Sequence, residues 1–338
     1  MITRKTSLHD RRTVLRQAAV LGGSALLASV NRALAEPPPE KTTLRLLQVP
    51  GACTAPQEIA KELLELEGFS DVRYVKFGSD TQRWPPEVVL SGEVDINFSF
   101  PPHDISAIDA NQPLVILAGA HSGCVEVIAN DRVRSTPELK GKTVAVPALG
   151  SDEHVFISIF AKYVGVRPQD INWAIYPFTE QVQLFNEGKI DAFFQSYPGL
   201  LDLHKRKIGH TLINTTTDKP WSQYTCCLIA TTREFIDRHP VATKRALRAL
   251  LKAADLCARE PNRVARYLAD KGLAAYDTTL QMLRELPYDW RGFDPEDALR
   301  FYALRMRELG MIKSSPQKII TQGTDWRFLN ALKRELKA

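Results

Sequence analysis

Between residues 44 and 230, short apolar runs alternate with stretches whose apolar positions recur every three or four residues. The runs LRLLQV (44–49), VRYVKF (72–77), DINFSF (95–100) and LVILAGA (114–120) read as strands. They are separated by helices predicted over Pro56 to Glu67, just before Gly92, and over Asp104 to Ala110. After CVEVIAN (124–130) the alternation restarts with TVAVP (143–147), a helix from Ser151 to Val164, NWAIYPF (172–178), a helix from Glu180 to Asn186, and DAFFQS (191–196). Strands traded one for one with helices predict a parallel sheet covered on both faces, because each crossover helix packs back onto the sheet. The expected fold class is α/β, with two doubly wound lobes of the same kind joined by a hinge.

A local echo supports the doubling. Gly92 to Phe98 and Gly188 to Phe194 share the form G-[EK]-[VI]-D-x-x-F, and each reaches a proline soon after, at Pro101 and Pro198. In both, a glycine ends a helix, a charged turn follows and a short apolar strand enters the core. Beyond residue 239 the pattern becomes helical. Pro240 to Glu260 carries Val241, Leu247, Leu250, Leu251 and Ala254 at helical spacing, with Lys244, Arg245, Arg248 and Lys252 elsewhere on the cylinder as a solvated basic face. The expected organisation is a leader over 1–35, a linker over 36–43 stiffened by Pro37 to Pro39, one lobe from 44–129 with 229–338 including extra C-terminal helices, and a second from 130–228. The hinge is expected near Ile128 to Arg132 and Leu228 to Thr231.

The leader changes the charge picture. Lys5, Arg11, Arg12 and Arg16 precede a small apolar run, Ala18 to Val30, and Ala33-Leu34-Ala35 before Glu36 has the form of a cleavage site. The run is shorter than the roughly 20 residues a membrane-spanning helix needs, so it predicts an export signal cleaved after Ala35. Arg11 to Leu15 resembles a twin-arginine signal, and the expected location is the periplasm. The chain holds 44 basic and 39 acidic residues, but six of the basic and one of the acidic fall within residues 1–35, leaving 38 of each. A neutral mature chain gives no reason to expect a nucleic-acid or acidic-membrane partner. Five cysteines, at 53, 124, 226, 227 and 257, match no zinc or CxxC spacing. They read as small packing residues, and no metal and no cofactor are expected.

Catalytic templates are mostly absent: there is no G-x-S-x-G elbow, HExxH helix, P-loop lysine or G-x-G-x-x-G turn. Ligands of open α/β sheets gather beyond the carboxyl ends of strands. That rule selects Pro50, Gly51 and Cys53 after the first strand, Phe100 and His103 after the third, and His121 and Ser122 after the fourth. In the second half it selects Ser151, Asp152 and His154, then Phe178 and Thr179, then Ser196 and Tyr197. Trp221, near the return crossing, closes one side. Aromatic faces beside hydroxyls suit a small-molecule pocket.

Taken in order, GEVDINFSFPPHDISAIDANQPLVILAGAH, ELKGKTVAVPALGSDEH, NEGKIDAFFQSYPG and FIDRHPVATKRALRALLKAADLCAREP resemble the periplasmic substrate-binding proteins of the nitrate, sulfonate and taurine class of ABC importers. The resemblance implies the type II periplasmic-binding-protein fold, with a small organic ligand between two lobes, a permease as partner, a monomer, and no enzymatic activity. The family's KGKxIAV…GSxxH segment maps onto Lys140 to Val146 and Gly150 to His154, so Ser151 and His154 carry over as ligand-binding residues. Asp152 and Glu153 stand where sulfonate binders usually have small or hydroxyl residues, and the family's W-D-P-Y loop reads Ser196-Tyr197-Pro198-Gly199. Those departures point to a neutral or amine-bearing ligand instead of a sulfonate or nitrate. Two alternatives stay open: an enzyme of the thiamine-pyrimidine-synthase type, which the broader family includes and which YTCCLIA (224–230) weakly resembles, and a subunit that senses a ligand for a receptor.

Overall fold

A computed structural model describes residues 36–48, 53–76 and 84–336. The expected leader and the loop positions Pro50 and Gly51 lie outside the described residues. The first half opens with strand β1 (Thr43–Gln48), helices α1 (Ala55–Ile59) and α2 (Lys61–Leu66), β2 (Asp71–Lys76), α3 (Pro85–Leu90), β3 (Asn97–Ser99), α4 (Pro101–Asp109) and β4 (Leu114–Ser122). The second half follows with β5 (Val125–Ala129), β6 (Thr143–Val146), α5 (Asp152–Tyr163), β7 (Asn172–Ile175), α6 (Phe178–Asn186), β8 (Ala192–Ser196), α7 (Gly199–Arg206), β9 (His210–Asn214) and β10 (Thr225–Thr232). Helices α8 (Arg233–Arg238), α9 (Pro240–Arg259), α10 (Pro261–Asp270), α11 (Tyr276–Glu285), α12 (Pro295–Glu308), α13 (Pro316–Gly323) and α14 (Arg327–Glu335) complete the chain. None of the described helices is long and apolar enough to cross a membrane.

The strands form two groups with one shared plan. In the first, β2 pairs with β1 in parallel, a bridge from Leu46 to Ile96 joins β1 to the chain entering β3, and β10 runs antiparallel between β3 and β4. In the second the order is β7-β6-β8-β5-β9, with β5 antiparallel to both of its neighbours. Each group therefore takes its antiparallel strand from a chain crossing, so the sheets are mixed where the sequence pattern predicts parallel ones. The doubling itself is confirmed, and the echo has a structural cause. Asp95 accepts a hydrogen bond from the Arg45 N–H at 2.8 Å and Asp191 accepts one from the Thr143 N–H at 2.9 Å. In return the N–H groups of Asp95 and Asp191 donate to the carbonyls of those same residues. An arginine neutralises each acid: Arg45 at 2.8 Å from Asp95 and Arg132 at 2.6 Å from Asp191.

Strand membership moves the crossings. Because β5 belongs to the second group and β10 to the first, the chain passes over at Ser122 to Val125 and returns between Thr215 and Tyr224. Both crossings lie a few residues before the positions expected from sequence, because an apolar run does not show which sheet it joins. They are pinned together: the Cys124 N–H donates to Thr216 Oγ1 at 3.2 Å, and Thr215 Oγ1 donates to the Val125 carbonyl at 2.8 Å. Gly123 makes the turn with φ +79°, and a Cβ placed there would lie 2.9 Å from the Thr216 Cα. Gly123→Ala combines an unfavourable φ with a backbone clash, and it is expected to lower unfolding stability by about 1–3 kcal/mol in urea titrations. A fully neutral result would mean that the crossings are not held against each other.

The described residues from Pro39 onward form one unit by their contacts, so the stretch read as a linker is partly built into it. Glu40 accepts from the first N–H groups of α9, Val241 at 3.0 Å and Ala242 at 2.9 Å, which is the favourable place for a carboxylate. The apolar stripe of α9 is buried through Leu247, Leu250, Leu251 and Ala254, each leucine contributing on the order of 2 kcal/mol. Its basic face is less solvated than the charge pattern suggests, since Glu67 meets Arg248 at 2.6 Å and Lys252 at 3.4 Å.

Candidate functional site

Helices α4 and α5 begin the site. Pro101 and Pro102 occupy the first turn of α4, where a missing N–H costs nothing, and Phe100 precedes them in extended backbone. At α5, Ser151 is the N-cap: its hydroxyl accepts from the His154 N–H at 3.3 Å, and Asp152 and Glu153 fill the first turn. The helix end that would ordinarily attract an anion is thus already served by the chain's own hydroxyl and carboxylates.

The two helices, one from each strand group, meet through these ends. His103 Nδ1 lies 2.6 Å from Asp152 Oδ2, and the His103 N–H donates to Asp152 Oδ1 at 3.2 Å. Trp84 stacks on the imidazole at 4.1 Å. Burial works against the charged ring, but the Asp152 charge and hydrogen bond outweigh it and hold the His103 pKa above its ordinary value. The surrounding acids respond in the opposite sense. Burial, reinforced by the Asp152 charge, pushes Glu153 up to about 7; burial also takes Asp104 to about 8 despite hydrogen bonds with the Ser99 hydroxyl at 2.7 and 2.8 Å. Among the described residues Glu153 Oε2 and His103 Nε2 are buried with no hydrogen-bond partner. Three carboxyls against one imidazole leave the seam acid-rich.

A second polar patch lies at the crossings. Ser122 and Thr225 are paired across β4 and β10, and His121 Nε2, Ser122 Oγ and Thr225 Oγ1 are buried without a partner among the described residues. His121 Nδ1 is 3.1 Å from the Ser122 carbonyl, and the ring meets Tyr288 edge-on. The half-buried Cys53 approaches His121 and Cys124, and its thiol is held below its ordinary pKa by the Cys124 contact, against burial, with help from His121. Two further contacts close the seam: Phe100 packs edge-on against Phe156 of α5 at 6.0 Å, and the Tyr197 hydroxyl donates to Glu285 of α11. Burial and the Glu285 charge raise the Tyr197 pKa. Ser196, half-buried, pairs with Val125 at the start of β5.

The structure does not gather every expected residue. His154 turns back to accept from the Gly150 N–H at 3.1 Å and packs against Trp173, and burial lowers its pKa. Phe178 and Thr179 are exposed at the start of α6. Trp221 belongs to an aromatic cluster with Phe160, Tyr163 and Phe301 rather than to the seam. Following a strand places a residue at the right sheet edge but does not aim its side chain. Conversely, Asp104, Cys124, Cys226, Glu285 and Tyr288 belong to the seam without having been singled out. The acid after His103 in PPHD was the available signal for Asp104. A separate cavity of about 510 Å³, lined among others by Gln48, Glu58, Lys76, Pro198 and Met282, touches none of the expected site residues.

The family profile described as NMT1/THI5 like matches residues 71–264, more than half of the chain. Many solved structures share the fold, and three of them illustrate it. The alkanesulfonate-binding protein SsuA from Xanthomonas axonopodis pv. citri bound to MOPS is 17% identical, with TM-score 0.66 over 83% of this chain and 96% of that one. The periplasmic nitrate-binding protein NrtA from Synechocystis PCC 6803 is 16% identical, with TM-score 0.71 over 89% and 90%. The periplasmic aliphatic sulphonate binding protein SsuA from Escherichia coli is 17% identical, with TM-score 0.68 over 83% and 92%. No curated protein sequence matches.

Proposed function

The chain belongs to the NMT1/THI5-like family, and from that premise we propose that it is an exported solute-binding protein that traps a small amine-bearing or neutral organic molecule between its two strand groups. It hands that molecule to an ABC-type importer of the inner membrane and performs no bond chemistry. The signal-like residues 1–35 support export, and the three structural neighbours, each described as a binding protein, support capture over catalysis. The observation that carries the ligand class is the acid-rich seam between α4 and α5, where Glu153 Oε2 stands buried and unpartnered beside a helix end the chain has already capped. A primary or heteroaromatic amine offers Glu153 Oε2 a donor that no described residue supplies to that atom, whereas a sulfonate would meet three carboxyls. Closure on the ligand is stabilised only by contacts absent in the open form, and a micromolar complex corresponds to about 8 kcal/mol.

Calorimetric titration of the purified protein with a panel of amines and a panel of sulfonates tests this. At least one amine is expected to bind with micromolar affinity or tighter. Binding confined to sulfonates or nitrate would overturn the ligand class, and retention of an organic cofactor with turnover would overturn the non-enzymatic reading.

A further inference from the structure

Cys53 stands far in sequence from His121 and Cys124, which flank the first crossing, yet their thiol sulfurs and an imidazole nitrogen all lie within 4.8 Å of one another. Metal–sulfur bonds of about 2.3 Å and metal–nitrogen bonds of about 2.0 Å place ligand atoms roughly 3.5–3.8 Å apart around a tetrahedral ion, so small side-chain rotations complete such a shell. The histidine is prepared for the role. Its Nδ1 faces the Ser122 carbonyl at 3.1 Å, which fixes the proton there and leaves Nε2 with a lone pair, fully buried and without a partner among the described residues. Cys124 is also unusual, because it holds φ +85° without being glycine and its N–H is tied to Thr216. Backbone strain of that kind at a crossing is a cost that a structural thiol does not require.

We propose that Cys53, His121 and Cys124 form a binding site for one thiophilic d10 cation, represented by zinc(II), at the foot of the seam where the two crossings meet. Two thiolates and one imidazole select soft or borderline ions over calcium and magnesium, which seek oxygen ligands. Three protein ligands leave a fourth position, and half-buried Cys53 gives the approach. Cys226, whose sulfur is 3.1 Å from that of Cys124, provides the competing chemistry: thiol–disulfide exchange with an external disulfide, which takes up the two electrons and two protons and leaves as two thiols, would join Cys124 to Cys226 and withdraw Cys124 from the set.

The site is tested independently of any organic solute. The full chain, purified under reducing conditions, is titrated with zinc(II) in competition with a chromophoric chelator and with cobalt(II), whose thiolate charge-transfer absorption reports sulfur ligation. One metal per chain and a thiolate band are expected. Cys53→Ser, Cys124→Ser and His121→Asn should each weaken zinc binding about a hundred-fold or more, while Cys257→Ser, in the core of α9, leaves it unchanged. Circular dichroism identifies any variant that fails to fold, and alkylation of Cys53 in the unmodified chain then provides the same comparison. Absence of a thiolate band, equal binding by the folded variants, or a Cys124–Cys226 disulfide in protein recovered from an oxidising compartment would each overturn the proposal.

Discussion

Affinity for an amine ligand is expected to fall about a hundred-fold between pH 8 and pH 5, with protons released as the ligand binds. Burial and the Asp152 charge place Glu153 at about 7, so an ammonium group arriving at Oε2 must displace a proton at any pH below that value. Each unit below it weakens binding by about tenfold. Asp104, fully buried behind Ser99 and raised to about 8, keeps its proton and adds little to the slope. A sulfonate would show the reverse, since protonated acids and a charged His103 favour an anion. Fold stability is expected to run opposite to amine affinity. Both acids have folded pKa values above their ordinary 4.5 and 3.8, so the native state keeps protons that the unfolded chain releases. Their contribution is complete below about pH 4 and is lost as pH rises toward 7 and 8. Calorimetry in buffers of different ionisation enthalpy counts the released protons, and urea titrations give the stability profile. Glu153→Gln should flatten the affinity profile; a slope unchanged in that variant would sink the assignment of Glu153 as the ligand's partner.

The plan of the fold was legible because its signals are local. The G-x-x-D echo marks a backbone exchange between neighbouring strands that each sheet needs, and Ser151 before two acids marks the start of α5. The crossings were not legible. LVILAGA and CVEVIAN read as two consecutive apolar runs, but nothing in them says that they join different sheets, and the positive φ at Gly123 and Cys124 turns the chain from one to the other. The cysteine cluster was hidden for a related reason. Cys53 stands far in sequence from Cys124, and no spacing rule links residues that meet only when strands cross.

Site residues divide along the same line. Topology alone places Phe100, His103, His121 and Asp152 at the seam, because strand ends converge there. Side-chain direction decides the rest, and it turns on short-range competition. His154 is taken by the Gly150 N–H and Trp173, and Trp221 by Phe160 and Phe301. Those preferences depend on neighbours that a linear pattern does not show.

In the cross-seam pair, His103→Phe should destabilise the folded chain by about 3 kcal/mol, and Asp152→Asn by clearly less. Phenylalanine keeps a ring for Trp84 to stack on, so the change isolates the charge and the Nδ1 hydrogen bond. It leaves the nearly buried Asp152 carboxyl without its partner beside Glu153 and Asp104, the situation in which breaking a buried pair costs about 3–5 kcal/mol. Asp152→Asn loses the same attraction but also removes the like charge that raises Glu153 and Asp104, and its carbonyl still accepts from the His103 N–H. The imidazole, freed of its partner, is left with burial as the largest influence, which lowers its pKa. Urea unfolding at pH 7 measures the asymmetry, and small-angle scattering shows whether the radius of gyration grows as the seam opens. Equal costs for the two variants, or a radius unchanged in His103→Phe, would mean that the pair does not hold α4 to α5.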